Sequence, residues 1–141
     1  KEFEKRFDFK VYGNDEWKKY INCYEGFAEH FEQMPDIFNR SKINLNIIRT
    51  YVESGLPMRV FDILGSCGFL LSNYKEELVE YFDDGVDIAV FHSMEEAIEL
   101  AEYYLKRDEL RYKMIESAYN KVKKFHTYED RIKEMLKIVF G

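Results

Sequence analysis

The chain has 141 residues, 46% of them hydrophobic and 17% aromatic, enough for one domain with a real core and too apolar for a disordered chain. A formal net charge of -6 speaks against nucleic acid or an anionic membrane surface as the main partner. No apolar run approaches the ~18 residues of a membrane span, and the first residues carry no signal-peptide pattern.

In chain order, Phe7 to Tyr12 alternates as a strand does and ends at Gly13-Asn14-Asp15, a turn signal. Trp17 to Tyr20 fits a short helical turn, and Cys23 to Gly26 fits extended chain before Phe27. Glu32 to Asn39 is predicted as a short helix, with Phe31, Met34, Ile37 and Phe38 on one face. Ile43 to Ile48 is strand-like, the isoleucines and Leu45 facing one way and Asn44 and Asn46 the other. Pro57 suits the first turn of a helix, where its missing N–H has no partner to lose, and that helix is expected to run to about Ser66. Phe69 to Ser72 is the next strand. Glu76 to Phe82 is a helix stopped by Asp83-Asp84-Gly85, and Ile88 to Phe91 is a short buried strand.

The last third is helical. Ser93 with Glu96 forms a capping box, in which the hydroxyl covers a free N–H and the glutamate reaches back. Met94, Ala97, Ile98, Ala101 and Leu105 then repeat at helical spacing, and Leu110, Met114, Ala118 and Val122 form a second stripe. Thr127 caps a third helix with Tyr128, Ile132, Met135, Leu136 and Val139 on its apolar face. Strands separated by helices imply parallel crossovers. The expected fold class is therefore α/β, a parallel sheet flanked by helices with a helical C-terminal third, in a single domain over residues 1–141.

Ligands of such sheets sit at the carboxyl ends of the strands, here the loops after Tyr12, Ile48, Ser72 and Phe91. Charge ranks these loops. Between Arg40 and Val60 the cations are Arg40, Lys42, Arg49 and Arg59 and the only acid is Glu53, a local +3 in a chain of -6. A helix N-terminus with an arginine beside it holds phosphate well. The alternative is a solvated cluster with Arg59 paired to a surface acid. Asp62, three residues after Arg59, is either its i,i+3 ion-pair partner or a carboxylate placed for a ribose diol. Gly65 and Gly68 are expected to let the helix and the next strand pack closely, the alternative for Gly68 being the helix's C-cap.

Cys23 and Cys67 lie far apart and outside any CxxC pair, which reads as two reduced thiols in a cytoplasmic protein. His30, His92 and His126 have no metal-ligand spacing, so no metal is expected. His126 fits a hydrogen bonder at a helix boundary, and the pairs Tyr81–Phe82 and Tyr103–Tyr104 fit packing at helix ends. A phospho-receiver domain would need acids clustered after its first strand and a lysine after a late strand; Asn14-Asp15 matches poorly and the lysine is missing.

Several stretches in one order carry a family resemblance: "MPDIFNRSKINLNI", "SGLPMRVFDILGSCGFLLSNY", "ELVEYFDDGVDIAVFHSMEEAIELAEYYL" and "RYKMIESAYNKVKKFHTYEDRIKEML". From Gly26 to Val139 the chain resembles the C-terminal, donor-binding domain of GT-B glycosyltransferases, most closely the CgeB-like spore-maturation branch. The resemblance implies a Rossmann-like sheet that binds a nucleotide sugar, with the nucleoside-diphosphate sugar as donor substrate and no metal or other cofactor. It implies transfer of the hexosyltransferase type and a separate N-terminal acceptor-binding domain as partner. That domain is missing from this chain, which starts on Lys1 in charged sequence, so the chain alone is expected to be inactive.

By the same resemblance Ser54, Gly55 and Leu56 form the loop whose amides face the phosphates. Arg59 matches an arginine typical of the branch, and Arg49 joins it as a candidate diphosphate contact. Many relatives have two acids separated by seven residues, the second on the ribose. Asp62 takes the second place, while the first falls on Ser54, with Glu53 beside it. Gly26 and Phe27 match the segment that holds the base, and no catalytic residue is assigned. The alternative function is a regulatory or protein-binding module that keeps the fold without the chemistry.

Overall fold

The computed structural model describes residues 1–49 and 54–141. The chain forms two compact units, Lys1–Asp36 and Ile37–Gly141.

The first unit holds α1 (Glu2–Arg6), β1 (Val11–Tyr12) and β2 (Tyr24–Gly26), with the two short strands parallel. The strand expected from Phe7 narrows to Val11–Tyr12, because Phe7 and Phe9 turn aside to Phe3 at ring distances of 5.3 and 5.6 Å. That cluster also explains α1, which the sequence reading missed. The helix has five residues and no side-chain cap, so burial of Phe3 rather than intrinsic propensity holds it. Glu4 Oε1 accepts the amides of Asn22 at 2.6 Å and Cys23 at 3.0 Å, tying α1 to the start of β2. The helical turn around Trp17 is a 3-10 turn over Asp15–Lys19, and the chain before Phe27 is extended as expected.

α2 (Met34–Arg40) leads into the second unit. Of its expected face only Phe38 is buried; Phe31 lies before the helix and is exposed. β3 (Asn44–Asn46), β4 (Leu70–Asn73) and β5 (Ala89–Phe91) form a parallel sheet in the order β3-β4-β5, with Asn44 opposite Leu70 and Leu71 opposite Ala89. α3 (Met58–Gly65) crosses from β3 to β4, and α4 (Glu76–Tyr81) from β4 to β5. α5 (Met94–Leu105), α6 (Asp108–Phe125) and α7 (Tyr128–Phe140) complete the chain. A parallel sheet with short crossovers is covered on both faces, so Phe69–Leu71 leading into β4 and all of β5 read as continuous apolar runs rather than alternating ones; Phe69 to Leu71 and Ala89 to Phe91 are all buried.

In β3 the asparagine side of the strand is the one that faces inward, and Ile48 joins it. Asn44 and Asn46 are buried while Ile47 is exposed. Asn44 Nδ2 donates to the carbonyls of Phe38 and Phe69 at 3.0 and 3.2 Å, and Asn46 Nδ2 donates to Ser72 Oγ at 3.1 Å. The amides can be buried because each finds a partner, which the alternation of apolar and polar residues cannot reveal.

α3 stops one residue before the expected Ser66. Its end is a Schellman turn: the Gly68 N–H donates to Ile63 O at 2.9 Å and the Cys67 N–H to Leu64 O at 3.2 Å. The left-handed position falls on Cys67, with φ 56°, instead of a glycine. Gly68 is needed for closeness, since a Cβ there would lie 2.7 Å from Asn44 Nδ2 and 3.0 Å from Ile63 O. Gly65 is not: a Cβ there meets only Val122, at 3.9 Å.

After α4 the loop Asp83–Ile88 is pinned to α6. The buried Asp87 accepts the Asp83 N–H at 2.7 Å, Ser117 Oγ at 2.5 Å and the Lys121 ammonium, which also reaches Asp83 at 2.6 Å. Ser93 caps α5 as expected, accepting from the Glu96 N–H at 3.1 Å, but Glu96 reaches back to the N–H of His92 rather than of Ser93. Thr127 and Asp130 form a full capping box on α7. The apolar face of that helix, however, stays exposed: Tyr128, Ile132, Met135, Leu136 and Val139 are all solvent-facing.

Candidate functional site

In the second unit the loops after Ile48, Ser72 and Phe91 meet at the carboxyl ends of β3, β4 and β5. Asn73 makes the first link. Its Oδ1 accepts the Ile48 N–H at 2.7 Å and its Nδ2 donates to Ile48 O at 3.0 Å, so a side-chain amide continues the ladder past the last residue of β3. Tyr74 makes the second, stacking on His92 at 5.0 Å with the rings 24° apart. The third link joins the start of the α3 loop to α4: the Gly55 N–H donates to Glu77 Oε1 at 3.1 Å. The loop after Tyr12 belongs to the first unit.

Gly55 has φ 81°, a conformation that glycine adopts without strain, and a Cβ built there would meet nothing within 4 Å. Ser54 and Gly55 are exposed and Leu56 and Pro57 half-buried. Pro57 is the N-cap of α3 rather than its first helical residue. It offers no side-chain cap, and the first turn of α3 holds no acid. The opening of the helix is thus left positive at its end by its own sequence. Arg59 is exposed in that first turn and Asp62 half-buried one turn on, while Arg49 is exposed just beyond β3. Glu53, the acid beside Ser54, lies outside the described residues. Gly26 ends β2 in the first unit with φ 110°, and Phe27 after it is 78% exposed.

Two groups at this site were missed from the sequence, Lys75 and Glu77. Glu77 Oε2 lies 3.4 Å from Lys75 Nζ, and the side chains are only 27% and 12% exposed. The glutamate's own backbone N–H, then the Gly55 N–H and Lys75, hold its carboxyl below the usual carboxylate range against the opposing effect of burial. The available signal was positional: "NYKEEL" follows β4 directly, in a loop already expected to face a ligand. An acid in the first turn of a helix is so ordinary that periodicity gives it no special meaning.

His126 sits in an aromatic cluster, 5.5 Å from Phe61, 5.0 Å from Tyr81 and 5.6 Å from Phe82, with Arg131 Nη2 2.9 Å from its Nδ1. Burial, and then the Arg131 charge, pull its pKa below the ordinary histidine value. That is the helix-boundary role expected of it. Among the described residues no three His, Cys, Asp or Glu side chains are grouped as metal ligands, and no helix is long and apolar enough to cross a membrane.

Compared with known proteins, residues 1–137 match the model of a family described as glycosyl transferase-like. No curated protein and no solved structure matches the chain. With nearly the whole chain covered by that one match, and with its parallel α/β sheet, the chain belongs to the glycosyl transferase-like family, which supports a role in glycosyl transfer.

Proposed function

We propose that this chain is the donor-binding domain of a glycosyltransferase that moves a sugar from a nucleoside diphosphate to an acceptor held by another domain. The observation that carries the reading is the Gly55 amide. It lies in an exposed loop at the carboxyl edge of the sheet, in a backbone conformation suited to glycine and with open space in front of its α carbon. Amides of Ser54 to Leu56 and the Arg59 guanidinium contact the diphosphate, Arg49 adds charge, and Asp62 accepts from the ribose hydroxyls. The bond that breaks joins the sugar's anomeric carbon to a diphosphate oxygen. The domain's contribution is to position that bond and stabilise the charge that develops on the departing diphosphate. A retained fold that serves only regulation or protein contact is the second reading, favoured by Ser54 where relatives carry an acid and by a Gly55 amide that the protein itself occupies.

Calorimetric titration of the chain with UDP, GDP, ADP and TDP decides between them. One nucleotide is expected to bind, and Arg59→Ala to weaken it about tenfold to a hundredfold, the range for losing a charge-assisted hydrogen bond. Asp62→Ala is expected to weaken it about tenfold on the same grounds. Absence of binding to all four, or affinities indifferent to both substitutions, would leave the second reading standing.

A further inference from the structure

The Gly55 N–H and the Lys75 ammonium converge on a single carboxylate. Glu77 Oε1 accepts the first at 3.1 Å, and Oε2 faces the second at 3.4 Å. A backbone amide together with an ammonium is the donor set that one phosphate group takes from a protein. The Lys75 and Glu77 side chains are partly covered, 12% and 27% exposed, beside an exposed Gly55 that leaves the donors open to an incoming anion. On the α carbon of Gly55 there is also space, since a Cβ would touch nothing within 4 Å. Neither Lys75 nor Glu77 was among the residues that the family resemblance placed at the diphosphate.

Resting on the donor-binding reading above, we propose that the Glu77 carboxylate is an internal surrogate for a donor phosphate, which displaces it on binding and takes over the Gly55 amide and Lys75. Lys75 is thereby a further phosphate-binding residue. Glu77 sets the affinity from the opposite direction. In the free protein it keeps the loop in its binding shape and neutralises Lys75, and its two contacts have to be given up before the diphosphate can enter. The expectation is reversed from that for an ordinary site residue: loss of the Glu77 charge tightens binding, because the competitor is weakened while the donors remain.

The test uses the whole chain and the nucleoside diphosphate that binds best of UDP, GDP, ADP and TDP. Glu77→Gln keeps size and an acceptor oxygen for Gly55, and is expected to tighten binding about tenfold. In that background Lys75→Gln removes the ammonium without stranding a carboxylate, and is expected to weaken binding about tenfold. If Glu77→Gln folds poorly, Glu77→Asp, whose shorter side chain spans the amide and the ammonium less well, carries the same expectation. Equal or weaker binding by these Glu77 variants, with a wild type that binds and responds to Arg59→Ala, overturns the surrogate and leaves the donor-binding reading intact. Absence of binding in the wild type and in Glu77→Gln overturns both.

Discussion

Gly55 and Gly68 stand 13 positions apart in one motif and are glycine for different reasons. At Gly55 the reason is torsional, a φ of 81° with open space around the missing Cβ. At Gly68 the reason is steric: the Cβ would press on Asn44 Nδ2 and on Ile63 O, a backbone atom that cannot rotate away. Asn44 has little freedom to move because its amide spans two carbonyls in the core. Gly68→Ala is therefore expected to destabilise the protein by about 1–3 kcal/mol, the usual cost of overpacking, in a chemical denaturation experiment. A change below a few tenths of a kcal/mol would mean that strand and helix separate freely. Both glycines were legible in the sequence as special. Which constraint each obeyed was not, because Cys67 rather than Gly68 occupies the left-handed position, at a strain cost that no residue pattern announces.

At the scale of elements, the helices and strands after α1 follow their sequence signals to within a few residues, because caps, prolines and apolar spacing act locally. The loop between α4 and β5 illustrates what does not. Asp83-Asp84-Gly85 reads as a helix stop and nothing more, yet Asp87 is buried and gathers the Asp83 N–H, Ser117 and Lys121. Burial by itself raises the pKa of Asp87, but the hydrogen bonds from Lys121, Ser117 and the Asp83 amide outweigh it, and the pKa falls below the ordinary aspartate value. A carboxyl depressed in the folded state stabilises that state above its unfolded pKa and loses the effect as pH falls through the folded one. Asp87→Asn is thus expected to cost about 1–3 kcal/mol at neutral pH. The gap between wild type and variant should close as the pH is taken below about 4. Urea denaturation at several pH values reads both; a gap independent of pH would show that the Asp87 charge is not what pins the loop to α6.

On the scale of the molecule, α7 is the element whose chemistry and environment disagree. Its apolar residues fall at helical spacing, as read from the sequence, and its capping box is complete. Yet it has no buried residue, and it meets the rest through Tyr128, which reaches Met58, and through Arg131, which reaches His126 and lies over the Tyr81 ring. The core of the second unit, from Val60 through Phe69–Leu71 and Leu78 to Ala118, is complete without it. A chain ending at Thr127 is expected to melt within about 4 °C of the full chain, the shift that ~1 kcal/mol produces at this size. A drop of 10 °C or more in thermal denaturation followed by circular dichroism would show that α7 is part of the cooperative core.

By itself the sequence determined the α/β class, most element positions and the helix caps, because turn chemistry and apolar periodicity act within a few residues. Its motif with Gly55, Arg59 and Asp62 also marked one loop out from the others. Tertiary structure alone decided that Asn44 and Asn46 lie inside, that α7 keeps its apolar face in solvent, and that Glu77 and Lys75 stand at the Gly55 amide. Each of these depends on a partner 20 or more residues away or on the absence of burial, and the parallel crossovers that set such neighbours leave no trace in local spacing.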